Sequence, residues 1–150
     1  MPTIERSSDG SATKRIRPPT AWVSRMPRVL VVDDEETKRT ELTCALSLAG
    51  FETQGLSSSE AQNQTASEGY DLAIIDLMLH GTNGFELARV LRECNPRVRI
   101  VLTSAYHFTE VQLARIDCGA VGFVPQPFAL DELTAFLWSK LALSHQATDV

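Results

Sequence analysis

Four acids in a row, Asp33-Asp34-Glu35-Glu36, follow directly on the apolar run Val29-Leu30-Val31-Val32. A second apolar run, Leu72-Ala73-Ile74-Ile75, closes in Asp76. An acid ending a buried strand is costly to place there without a purpose. If the two runs are strands pointing their carboxylates at one place, the charges repel unless a cation lies between them. Clustered hard oxygen donors suit Mg²⁺, which keeps several waters and takes one or two carboxylates plus a phosphate. A carboxylate such as Asp76 can also act as a nucleophile and form an acyl phosphate. Two further runs end in groups able to donate hydrogen bonds, Thr103-Ser104-Ala105 and Pro125-Gln126-Pro127-Phe128. Each has a competing structural role. Asp33 and Asp34 can cap a helix and favour its macrodipole, Ser104 can cap, and Gln126 can be a loop amide between two rigid prolines.

These residues must be positioned by strands, and the chain alternates short apolar runs with helix-length segments five times from residue 28. The strands are read as Arg28–Val32, Phe51–Leu56, Leu72–Asp76, Val98–Thr103 and Val121–Val124, mostly in continuous apolar sequence, as strands buried on both faces should be. The first helix, Glu36–Ala49, places Leu42, Ala45, Leu46 and Ala49 on one face and ends at Gly50. A polar helix, Ser58–Glu68, opens on serines that can cap it. Gly84–Glu93 follows Asn83 as N-cap and carries Leu87, Ala88, Leu91 and Cys94 on one face. Thr109 with Gln112 forms a capping box for a helix running to about Cys118. The last helix, Leu130–Leu141, has the seam Leu130, Leu133, Leu137 and Leu141. Alternation of this kind implies right-handed crossovers and one doubly wound α/β domain with a five-stranded parallel sheet. Ligands of such folds sit outside the carboxyl ends of the strands, where the residues above lie.

Composition agrees with a soluble domain: 43% of residues are apolar and 22% charged, and no apolar run approaches the ~20 residues of a membrane span. No signal peptide is evident, and Cys44, Cys94 and Cys118 lack metal spacing, so a cytoplasmic protein with reduced thiols is expected. The net charge of −5 is unevenly placed, since residues 1–27 hold five basic side chains against two acidic ones. That stretch reads as a disordered basic arm, unless Met26 is the true start; residues 28–143 form the domain and 144–150 a short tail. The acidic body argues against nucleic-acid binding by the folded domain.

The arrangement resembles the receiver domain of two-component response regulators, a flavodoxin-like (βα)5 fold with strand order 2-1-3-4-5, over about residues 28–143. Asp33 and Asp34 resemble the family's acidic pair that helps hold Mg²⁺, and Asp76 the aspartate phosphorylated by a partner histidine kinase or phosphotransfer protein. The resemblance makes the main-chain carbonyl of Met78 a third metal contact and matches Gly81 and Gly84 to the turn that follows. It makes Ser104 the hydroxyl that senses the phosphoryl group and Phe123 the aromatic switch residue. It also implies signalling through the face of the fourth helix, fifth strand and fifth helix. With only seven residues after the domain, a stand-alone switch acting on a separate downstream protein is expected, unless the chain is a fragment of a longer one, and its role is that of a phosphoacceptor rather than an enzyme.

One departure stands at the lysine that the family places before Pro-Phe. Here Gln126 occupies it, and no lysine lies between Lys38 and Lys140. An amide can donate a hydrogen bond but cannot neutralise a phosphoryl dianion, and a charge-assisted bond is about twice as strong as a neutral one. Slower phosphorylation or a weakly relayed signal is therefore expected, with a phosphorylation-independent docking module as the alternative. His80 replaces a common proline and could act on an attacking water. Phe123, lacking a hydroxyl, should favour a buried position. A hydrolase using Asp76 would need a second acid where Met78 stands, and a dinucleotide enzyme would need a glycine motif absent after the first strand.

Overall fold

The computed structural model describes residues 25–63, 69–116 and 118–148, with side chains through 142. Five strands, β1 (Arg28–Val32), β2 (Glu52–Leu56), β3 (Leu72–Asp76), β4 (Arg99–Ser104) and β5 (Gly122–Pro125), alternate with five helices. The helices are α1 (Glu36–Leu48), α2 (Ser58–Asn63), α3 (Gly84–Cys94), α4 (Glu110–Ala114) and α5 (Leu130–Thr148). All strand pairs are parallel and the order is β2-β1-β3-β4-β5, the doubly wound arrangement that the alternating pattern implies.

Alternation along the strands builds two cores. Leu30, Val32, Ala73, Ile75, Ile100, Leu102 and Phe123 face α3 and α4, whose Leu87, Ala88, Leu91 and Leu113 cover them. Val29, Val31, Leu72, Ile74, Val101 and Val124 face α1 and α5, through Leu46, Leu133, Leu137, Trp138 and Leu141. Burial on both sides explains why β3 reads as a continuous apolar run. Phe51 stacks on Trp138 at 4.5 Å between ring centroids, tying the start of β2 to α5.

Several boundaries depart from the sequence reading. Leu130 and Cys94 are exposed, because each sits at the end of its helix rather than over the sheet. α4 stops at Ala114 rather than Cys118; Leu113 is its only buried residue, and packing of an apolar face is what sustains a short helix. Its expected capping box is present, with Thr109 and Gln112 satisfying one another's backbone N–H. α5 continues to Thr148, so most of the expected tail is helical; no glycine or proline interrupts residues 130–148. The last part of the expected second helix, 64–68, and residues 1–24 of the expected basic arm lie outside the described residues. The arm's last residues belong to the fold: Arg25 forks onto both carboxylate oxygens of Asp71 at 3.1 Å, and the Pro27 carbonyl accepts the N–H of Glu52. Among the described residues no helix is long and apolar enough to cross a membrane.

Candidate functional site

Register alone brings the two acidic strand ends together. β1 and β3 are neighbours with Val32 opposite Ile75, so Asp33 follows beside Asp76 at the carboxyl edge of the sheet. Both are buried, Asp76 at 3% exposure and Asp33 at 8%. Burial pushes the Asp33 carboxyl up from its ordinary value, the N–H of Glu35 opposes this, and the adjacent Asp76 charge raises it further. Asp33 Oδ1 accepts that N–H at 2.8 Å, and Arg39 donates to the Asp33 carbonyl at 2.7 Å, which fixes the turn into α1. The capping role weighed for the acidic pair is not what is found, since the N-cap of α1 is Glu35 and makes no side-chain cap bond.

Asp34 turns the other way. Its carboxylate accepts from the Ser58 N–H at 2.7 Å, the Ser58 hydroxyl at 2.8 Å and the His80 N–H at 2.6 Å. Burial pushes its carboxyl up, but these donors outweigh burial and hold it below its ordinary value. Asp34, which the sequence grouped with Asp33 and Asp76, also forms a clasp between β1, the start of α2 and the loop after β3. Ser58, unmarked beyond its capping potential, is the partner that sequence reasoning missed.

Asp76 is oriented by its own turn, with Oδ1 accepting the N–H of Met78 at 2.8 Å. The turn then needs room and a left-handed residue. Gly81 has φ +78°, and at Gly84 an added Cβ would lie 2.9 Å from Leu77 Cδ2 and 3.0 Å from Leu77 Cα, so the start of α3 can close on the end of β3 only with glycine there.

Asp76 Oδ2 faces the opposite side, toward β4, β5 and α1. Gln126 Nε2 stands 3.5 Å from it and donates to Thr103 Oγ1 at 3.2 Å. The Gln126 Oε1 accepts from Lys38 Nζ at 3.1 Å, and the same ammonium lies 3.5 Å from Asp76 Oδ2 and 3.9 Å from Glu35. Thr103 was among the strand-end donors marked in the sequence, whereas Lys38 was not singled out as part of the site. Their signal was present: Thr103 pairs with Asp76 across adjacent strands, and Lys38 lies on the first turn of the helix that Asp33 leads into. An open cleft of about 560 Å³ runs past Asp33, Lys38, Thr103, Ala105 and Gln126 to Leu130.

Ser104 is 1% exposed, and its Oγ accepts the N–H of Tyr106 at 3.0 Å. Phe123 is 2% exposed, the position a ring without a hydroxyl favours. It meets Phe108 edge to face at 5.7 Å, and Phe108 in turn meets Tyr106 at 4.7 Å and Phe85 at 6.1 Å. The peptide between Gln126 and Pro127 is cis.

Two buried, adjacent carboxylates are a donor set that a divalent cation relieves. Among the described residues no three His, Cys, Asp or Glu side chains gather into a cage. That combination fits Mg²⁺, which takes few carboxylates and fills its shell with water and phosphate oxygen.

A family model for the response regulator receiver domain matches residues 29–137. Response regulator MprA of Mycolicibacterium vanbaalenii is 34% identical over 109 residues, covering 72% of this chain and 47% of that protein. Regulatory protein AtoC of Escherichia coli is 30% identical over 124 residues, covering 82% of this chain and 27% of that one. The chain thus spans about half or less of the length of these relatives. Among solved structures, a CheY-like receiver domain protein from Methanospirillum hungatei shares the fold with a TM-score of 0.74 at 21% identity, covering 82% of this chain and 99% of that one. TrrA from Thermotoga maritima, solved in complex with Mg²⁺ and BeF, gives a TM-score of 0.66 at 32% identity and covers 77% of this chain and 99% of that one. Receiver domains in general bind Mg²⁺ at their phosphorylation site and interact with histidine kinases or phosphotransfer proteins. A match running from β1 into α5 takes in every element that builds the site, and the chain belongs to the family of response regulator receiver domains.

Proposed function

We propose that Asp76 accepts a phosphoryl group from a histidine kinase or phosphotransfer protein and that this chain signals its phosphorylation state to a downstream protein. The observation that carries the reading is the buried pair Asp33 and Asp76, beside an open cleft that Asp33, Lys38 and Gln126 line. The Met78 N–H fixes Asp76 Oδ1, while Oδ2 lies 3.5 Å from Lys38 Nζ and from Gln126 Nε2, two residues that line the cleft, so Oδ2 is the oxygen that would attack phosphorus. Mg²⁺, when bound, neutralises charge developing on the transferred oxygens. Asp33 and Asp76 would hold it, and the family resemblance adds Asp34 and the main-chain carbonyl of Met78.

Relay would begin at Ser104, whose hydroxyl oxygen now accepts from Tyr106; a phosphoryl oxygen beside Asp76 would compete for that hydroxyl. Phe123 lies on the neighbouring strand β5, and Phe108, packed on it, lies in the loop that leads from β4 to α4, beside the surface formed by α4, β5 and α5. Such relay is a shift between two populations, limited by how differently each binds the phosphoryl group. The role is that of a phosphoacceptor, not a hydrolase: Met78 stands where a second acid would be needed. A cytoplasmic setting belongs to the same reading, and Cys44, Cys94 and Cys118 are free thiols.

The test is intact mass after incubation with phosphoramidate and Mg²⁺. One phosphoryl adduct on the wild-type chain that disappears in Asp76→Asn is the expected result. No adduct on a folded wild-type chain would favour the phosphorylation-independent docking module.

A further inference from the structure

The family position for a phosphate-binding lysine holds Gln126, yet the site contains an ammonium. We propose that Lys38, projecting from the first turn of α1, is the phosphoryl-facing cation of this protein, with Gln126 serving to hold it there. This rests on Asp76 being the phosphoacceptor.

Three contacts converge on the placement. Lys38 Nζ donates to Gln126 Oε1 at 3.1 Å and lies 3.5 Å from Asp76 Oδ2. The Gln126 amide cannot swing freely, because its Nε2 donates to Thr103 Oγ1 at 3.2 Å. Glu35, at 3.9 Å, flanks the ammonium from the helix N-terminus. The Lys38 side chain is 41% exposed whereas that of Asp76 is 4% exposed, so the lysine reaches the acid from the cleft and not from within the core. An ammonium on a four-carbon stem can follow the added phosphoryl oxygens outward, where the half-buried Gln126 amide is held by Thr103.

In the transfer step Asp76 Oδ2 forms a bond to phosphorus. The bond between phosphorus and the donor nitrogen breaks, and its electron pair leaves with that nitrogen, as ammonia when phosphoramidate is the donor. Lys38 keeps its proton throughout and supplies positive charge opposite the transferred oxygens. Before transfer the same ammonium competes with Mg²⁺ for Asp76.

Four chains settle it: wild type, Lys38→Met, Gln126→Lys, and Lys38→Met combined with Gln126→Lys. Each is checked for folding by circular dichroism and urea unfolding. Phosphorylation rates with phosphoramidate and Mg²⁺ are followed by intact mass, and Mg²⁺ affinity by NMR titration. Loss of one charge-assisted hydrogen bond in the transition state predicts roughly a tenfold to hundredfold slower rate in Lys38→Met. The added lysine at 126 should restore most of that rate. Mg²⁺ should bind Lys38→Met more tightly than wild type, because a competing cation has gone. A Lys38→Met rate within about twofold of wild type, or a faster one, overturns the inference while leaving Asp76 as phosphoacceptor. So does failure of the lysine at 126 to rescue, or an unchanged Mg²⁺ affinity. No adduct on any of the four chains overturns both this inference and the reading on which it rests.

Discussion

The acidic rim around Asp76 at the end of β3 and the aromatic cluster around Phe123 on β5 lie on either side of β4 and are built on opposite principles. In the cluster, Phe123, Phe108, Tyr106 and Phe85 meet edge to face, and Phe123, Phe108 and Phe85 pack against the aliphatic core. At the rim, buried acids sit side by side and their balancing partners, Lys38 and Gln126, stand at 3.5 Å, the long limit of a hydrogen bond. One region holds the fold together. The other is held against its own repulsion, which leaves its oxygens available to an incoming cation or phosphoryl group.

The largest expected effect lies in the cluster. Phe123→Ala removes a buried ring and should lower unfolding free energy by about 3–5 kcal/mol, read from urea denaturation. A loss below about 1 kcal/mol would break the contrast, because the cluster would then not be what stabilises this edge of the sheet. Next comes the clasp on the far side of the rim. Asp34→Ala strands the Ser58 and His80 donors and should cost about 1–3 kcal/mol, whereas Asp34→Asn keeps an acceptor and should cost less.

The smallest effect is the most discriminating, because its sign is reversed. The Asp33 carboxyl is raised from its ordinary value of 3.8 by burial first and by Asp76 among the lesser causes, so its ionised form works against the folded state. Its contribution is fully favourable below the unfolded value and is lost as pH rises through the folded one. Asp33→Asn measured in Mg²⁺-free buffer should therefore unfold at slightly higher urea than wild type at neutral pH, with the gap closing as pH falls toward 3.8. Asp34 runs the other way: its carboxyl is lowered, so its contribution is present above 3.8 and lost as pH falls through the folded value. Stability-pH curves for Asp33→Asn and Asp34→Asn that moved in the same direction would erase the distinction between the strained and the clasped acid.

Much of this was legible in the chain. Continuous apolar runs marked β1, β3 and β4, since strands buried on both faces leave no polar alternation, and the acids closing the first two marked the site. Helix ends were less legible. α4 is shorter than its pattern because little of it is buried, and α5 is longer because nothing in the sequence stops it.

The sequence by itself determined the doubly wound class, the acid Asp76 that closes the third strand and the absence of a lysine at 126, because these depend on periodicity and on which residue closes a strand. Only the tertiary structure decided that the two adjacent acids Asp33 and Asp34 part company, and that the missing charge returns from elsewhere. Both follow from direction. Successive residues leave a strand end toward opposite sides, so Asp33 stays with Asp76 while Asp34 meets Ser58. Successive residues on a helix diverge by about 100°, so Arg39 turns back to the Asp33 carbonyl while Lys38 points across the cleft to Gln126 and Asp76, 88 and 38 residues away along the chain.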